Sequence, residues 1–201
     1  MQTSEALRVA VDIVQAPSRV PYVRSQALPP GIADVLHIAA GDQDTIGRAV
    51  AETGRTRERI VEAAAFFIEQ AMFLPDADSY RILGGTQQTP TSELRRNMAL
   101  LMRWLHPDAN SGTERGVFAT RISQAWDDVK TDERRALYDS GLAAQRQADA
   151  GSPGRRRNGS RRGNRAAPGS RSREWAGLPR PGMLRWLLHY LFASRTRGPR
   201  S

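Results

Sequence analysis

The sequence predicts an all-α protein with a disordered basic linker, and three observations carry that expectation. Apolar residues between 31 and 140 recur at spacings of three and four, the period of a helix face. Strand-like alternation and internal repeats are missing from the same stretch. Beyond residue 150 glycine, serine and arginine take over, leaving almost nothing apolar to bury between 151 and 173.

Residues 1–30 read as an N-terminal extension. One short helix, Ser4 to Val14, is followed by an extended segment punctuated by Pro17, Pro21, Pro29 and Pro30. Residues 31–77 read as a helical layer. Ile32, Val35 and Leu36 form a first short face. Asp44 or Thr45 is the expected cap of a second helix that Gly54 ends. Thr56 is placed to cap a third, carrying Ile60, Ala64, Phe67 and Ala71, before Pro75 and Asp76 close the unit.

Residues 78–141 hold the most regular pattern. Leu94, Met98, Leu101 and Leu105 are separated by four, three and four residues, and Phe118, Ile122, Ala125 and Val129 repeat that spacing. Matching stripes joined by a connector of about a dozen residues predict an antiparallel hairpin packed along its seams. Pro107 cannot continue the first helix and biases His106 away from helical dihedrals. The expected result is a polar loop, His106 to Gly116, where binding functions usually sit. Residues 142–174 read as the disordered Arg/Gly/Ser-rich linker, and 175–201 as a short amphipathic basic segment.

Charge is unevenly divided. Residues 1–144 contain 16 basic and 19 acidic side chains, net −3, whereas 145–201 contain 14 basic and 2 acidic, net +12. A polyanion-seeking surface is therefore expected only of the tail. The absence of cysteine excludes disulfides, Cys-ligated zinc and thiol catalysis, and fits a reducing compartment. The N-terminus lacks the pattern of a secretory signal, and no apolar run approaches the roughly 20 residues of a spanning helix. The expected location is cytoplasmic, with the inner face of a membrane as a peripheral site.

From Ser79 to about Ser140 the chain resembles the J-domain of DnaJ-type co-chaperones. Tyr80-Arg81-Ile82-Leu83-Gly84 is similar to that family's first short helix and its glycine stop. Leu94-Arg95-Arg96 through Leu105 is similar to its second helix, and His106-Pro107-Asp108-Ala109-Asn110 to its signature loop with the usual trailing asparagine. Phe118, Ile122, Ala125 and Trp126 match the third helix, and Glu133-Arg134-Arg135-Ala136-Leu137-Tyr138-Asp139 the short fourth. Without a cysteine-rich zinc module or a Gly/Phe-rich segment, the chain looks like a class C J-protein.

That resemblance implies docking on a DnaK-type chaperone and acceleration of its ATP hydrolysis. Asp108 is then expected to pair with a basic group of the partner, while Pro107 holds the turn and His106 fixes the loop. Arg95, Arg96 and Arg103 supply the basic docking face, and Tyr80, Leu83 and Tyr138 join the two apolar stripes in the core. The ATPase site belongs to the partner, so the resemblance implies no enzymatic activity, cofactor, metal or small-molecule substrate for this chain.

Some residues depart from the family pattern. Ala99, Leu100 and Trp104 occupy positions that are often basic, and Asp132 replaces the usual proline while remaining a good helix cap. Leu100 and Trp104 are i, i+4 neighbours and form a second apolar strip. Burial against an N-terminal layer carrying Phe66, Phe67, Met72 and Phe73 is the favoured reading; isolated exposed side chains and adaptation to a partner are the alternatives.

Other signals are weaker. His37 and His189 have no second ligand at metal spacing, and His106 with Asp108 lacks a third. Residues 46–60 faintly resemble a helix-turn-helix, but 42–62 carry four basic and five acidic side chains, a poor footprint for DNA. Arg155, Arg156, Arg157, Arg161 and Arg162 are candidates for anionic-surface contact. The segment Met183 to Ala193 gathers Leu184, Leu187, Leu188, Leu191 and Phe192 on one helical face. It is too short to span a bilayer but suited to lie in an anionic interface. Alternatives to a co-chaperone are a J-like structural or adaptor protein without stimulation, and a nucleic-acid-binding protein acting through the arginine tail.

Overall fold

The computed structural model of the chain describes residues 3–105 and 115–150, and the regular structure among them is all helical, with no strand. In order they form α1 (Glu5–Gln15), a 3-10 turn (Pro17–Arg19), α2 (Val20–Ser25), α3 (Ile32–Ala39), α4 (Gln43–Thr53) and α5 (Arg57–Phe67). The last runs into a π-helical turn, Ile68–Met72; then come α6 (Ser79–Ile82), α7 (Thr91–Trp104), α8 (Arg115–Val129) and α9 (Asp132–Ala150).

The caps follow from side-chain chemistry. Asp42, rather than Asp44 or Thr45, caps α4: its carboxylate accepts from the Thr45 amide at 2.8 Å. Thr56 accepts from the Arg59 amide at the start of α5, and Asp78 from the Arg81 amide at the start of α6. Gly54 closes α4 at a φ of 64°, in the left-handed region where a Cβ is penalised.

Two segments differ from expectation. Residues 17–25 of the proline-rich stretch are helical rather than extended, because Pro17 and Pro21 sit in the first turns of the 3-10 helix and α2, where a missing N–H costs nothing, whereas 26–31, with Pro29 and Pro30, are not helical. The fourth helix of the 78–141 unit is not short. It continues to Ala150, taking in residues 142–150 that the sequence placed in the linker. Ala143, Ala144, Gln145, Arg146 and Gln147 are good helix formers, so composition without apolar periodicity still sustains the helix.

Residues 5–25 are also part of the core. Ala6, Leu7, Ala10, Ile13 and Val14 of α1 belong to the same buried cluster as Leu94, Leu101, Ile122 and Val129. α1 packs on α5 and α3, and α3 packs on both α5 and α7. Gly84, just after α6, marks the seam: at a φ of 68°, a Cβ there would meet Ile32 Cγ2 at 2.8 Å and Met72 Cε at 3.2 Å. The close approach of the N-terminal helices is thus compatible only with glycine.

The π turn is stabilised by arginines from three other segments. Its wider i→i+5 winding, seen in the Phe73 amide donating to Ile68 O at 3.2 Å, leaves carbonyls without helical partners. Arg24 donates to Gln70 O, Arg81 to Ala71 O and Gln26 O, and Arg121 to Phe73 O and Leu74 O. Cations at a helix C-terminus also complement its dipole. Burial lowers the pKa of Arg81 and Arg121 from its usual value.

Candidate functional site

Helix α7 divides cleanly between a core side and a solvent side. Leu94, Asn97, Leu101 and Trp104 are buried, and Met98 and Leu100 are half-buried against the same core. Arg95, Arg96, Ala99, Met102 and Arg103 are exposed on the other side. At ~100° per residue the three arginines fall within one arc of about 100°. They form no ion pair with a carboxylate among the described residues. Such a face attracts an acidic surface and favours its approach in one orientation.

Asp42 at the start of α4 borders this face. Hydrogen bonds from Thr45 hold its carboxyl below the usual carboxylate range; burial opposes this, and weaker attractions to His37 and Arg103 assist it. His37 Nδ1 lies 3.7 Å from Asp42.

The end of α7 is fixed by aromatic packing. Trp104 is only 6% exposed, with its ring 6.3 Å from Phe73 and 6.2 Å from Phe118. Phe73 and Phe118 are 4.8 Å apart, and the Arg121 guanidinium sits over Phe73 at 5.6 Å. The C-terminal end of α7 and the N-terminal end of α8 are therefore clamped together on the N-terminal layer. Those two ends bracket residues 106–114.

The start of α7 is tied to α6 and α9. Tyr80 donates to Asp139 at 2.8 Å, and its ring meets that of Tyr138 edge-on at 5.8 Å. Tyr138 Oη accepts from the Ser79 amide, and Ser79 Oγ donates to Asp128, both at 2.7 Å. Arg135 lies over the Tyr80 ring and donates to Gln87 O, Thr89 O and Thr91 Oγ1. Desolvation and the Asp139 hydrogen bond push the Tyr80 phenol up to about 12, against an opposing attraction from Arg135; desolvation also raises Tyr138.

The structure thus gathers Tyr80, Leu83, Leu94, Leu101, Leu105, Ile122 and Ala125 in one buried cluster, with Met98, Phe118, Trp126 and Tyr138 packed at its edge. His106, Pro107, Asp108 and Asn110 lie outside the described residues, as do Arg155, Arg156, Arg157, Arg161, Arg162 and the segment 183–193. Among the described residues there is no His/Asp/Glu group suited to a metal, and no helix long and apolar enough to cross a membrane.

Three structural residues escaped the sequence reading. Asn97 lies within the Leu94–Leu101 stripe and donates to Leu83 O at 3.0 Å. Arg81 and Arg121 turn inward to backbone carbonyls. For Asn97 the signal was a polar residue three positions after Leu94 and four before Leu101; for Arg121, a cation next to Ile122 in the stripe. No protein-family model, curated protein or solved structure matches the chain.

Proposed function

We propose that this chain is a J-domain co-chaperone of class C type, which stimulates ATP hydrolysis by a DnaK-type chaperone through His106-Pro107-Asp108. The carrying observation is the exposed face of Arg95, Arg96 and Arg103 on a helix whose end leads directly into that tripeptide. An acidic chaperone surface meets the arginines, and the adjoining tripeptide then reaches the partner's ATPase domain. Asp108 pairs with a basic group there, Pro107 and His106 shape the turn, and Asn110 supports it. The Phe73, Trp104 and Phe118 packing supports the same reading, since it holds both ends of the connector in fixed register.

A single-turnover ATPase assay with a DnaK-type chaperone tests this. Wild type is expected to accelerate hydrolysis, and His106→Gln or Asp108→Asn to abolish the acceleration while leaving thermal stability intact. No stimulation by wild type overturns the proposal and favours an adaptor role.

The tail adds a second contact in this reading. The net charge of +12 over 145–201 and the apolar composition of residues 183–193 suit peripheral binding to anionic membranes at a cytoplasmic surface. Liposome flotation with and without residues 174–201 tests it against nucleic-acid binding, which would show instead as salt-sensitive retention on RNA or DNA.

A further inference from the structure

We infer that the groove between the 75–78 loop and α9 is a docking site for a short peptide segment, from a partner protein, that carries apolar and basic side chains. The groove measures about 520 Å³ and is lined by Pro75, Ala77, Leu137, Gly141 and Leu142 beside the carboxylates of Asp76 and Asp78. That volume lies within the roughly 300–1,000 Å³ of ligand clefts.

Three observations on this face point to an occupant. Leu137 is 74% exposed, the most exposed large apolar side chain among the described residues, and it stands on the groove wall. It shares one helix face with Gly141, four residues on, so the wall carries a leucine next to a bare stretch of backbone.

Gly141 is the second. It lies inside α9, where glycine is unfavourable relative to alanine, and a Cβ built on it meets nothing within 4 Å. Packing within the fold therefore gives no reason for a glycine at this point. Its effect is to keep the groove open.

Charge gives the third. Asp76 is exposed on the rim, and Asp78 adds a second carboxylate although one of its oxygens caps α6. Arg81 is attracted to both, but its Nε and Nη1 donate inward to Ala71 O and Gln26 O rather than to either carboxylate. An acidic rim over an apolar floor complements a segment with a leucine-like anchor flanked by lysine or arginine. The groove residues lie on α9 and the 75–78 loop rather than on α7, so this docking is independent of the chaperone reading.

The test is fluorescence anisotropy of the full chain with a short labelled peptide rich in leucine and arginine. Control peptides replace arginine by glutamate or leucine by serine. Wild type is expected to bind the first peptide and neither control. Gly141→Leu, which lays a side chain across the groove, and Asp76→Lys should each weaken binding by roughly tenfold or more, the loss of one well-placed anchor. Leu137→Ser should do the same, and because that side chain is exposed its melting curve should match wild type. Chaperone stimulation should be unchanged in all three. Equal binding by the glutamate control, or unaltered binding by all three variants, overturns the proposal. So does absence of peptide binding; if it accompanies self-association in sedimentation that Gly141→Leu removes, the groove is assigned to a second copy of the chain.

Discussion

Removing the Trp104 side chain tests whether the N-terminal helices and the 78–141 unit share one core. A tryptophan buries roughly 150–250 Å², and Trp104 is only 6% exposed. At about 25 cal/mol per Å² the transfer contribution is about 4–6 kcal/mol, an upper bound because unfolded chains retain some burial. The ring contacts with Phe73 and Phe118 add packing that alanine cannot replace. Trp104→Ala is therefore expected to cost about 3–5 kcal/mol, in the range for buried aromatic truncations. For a folded unit of this size that lowers Tm by roughly 6–20 °C. Urea unfolding followed by far-UV circular dichroism measures the free energy directly. Met102→Ala, on the exposed side of the same helix, should stay within about 0.5 kcal/mol. If Trp104→Ala also falls within about 0.5 kcal/mol of wild type, the shared aromatic core does not exist as described and the clamp on the connector ends fails with it.

The remaining predictions concern the seam, the arginine caps and alkaline stability. Gly84→Ala should cost about 2–4 kcal/mol in urea unfolding, combining left-handed backbone strain with the approach of Ile32 and Met72. Gly54→Ala, also at positive φ but with open space around it, should cost only about 1 kcal/mol; equal losses would refute the close seam. Arg121→Met should cost about 2–4 kcal/mol by orphaning the Phe73 and Leu74 carbonyls, with Arg121→Lys recovering only part of it; a neutral Arg121→Met would show that water serves those carbonyls equally well. The Tyr80 phenol titrates near 10 when unfolded and about 12 when folded, so above pH 10 the unfolded state loses its proton first. The contribution, about 2–3 kcal/mol, is fully present below pH 10 and lost as pH rises to 12. Denaturant midpoints should therefore fall more steeply over that window in wild type than in Tyr80→Phe, and parallel curves would refute the linkage.

How much of this was legible in the sequence depends on whether an element buries a regular stripe. The stripes of α7 and α8 could be read because each buries one face along its length, so the spacing of Leu94, Leu101, Ile122 and Ala125 carries the packing directly. The extent of α9 could not. Beyond Leu142 it makes little core contact, and its continuation rests on intrinsic propensity, which leaves no periodic mark. The helical turns of 17–25 were hidden by prolines, whose meaning depends on whether they fall in a first turn or an interior. The arginine caps were illegible for a different reason. Arg24, Arg81 and Arg121 are separated by tens of residues and converge only because a π turn exposes carbonyls that no local pattern announces.

The same contrast bears on α7, the helix proposed to dock on the chaperone. Arg95, Arg96 and Arg103 on one side and Trp104 and Leu100 on the other are alternate consequences of a single helical register. Basic residues on the second side would have to be desolvated against Phe73 and the N-terminal layer, which is costly unless they are paired or hydrogen-bonded. The apolar strip at Leu100 and Trp104 is thus the condition for fusing the layer to α7. It leaves the basic face narrowed to three arginines, bordered by Asp42 from the layer itself. If α7 docks as proposed, the layer built onto it limits which acidic surfaces the helix can meet. Under the proposed co-chaperone function, partner selectivity would then follow from the N-terminal helices as well as from the tripeptide.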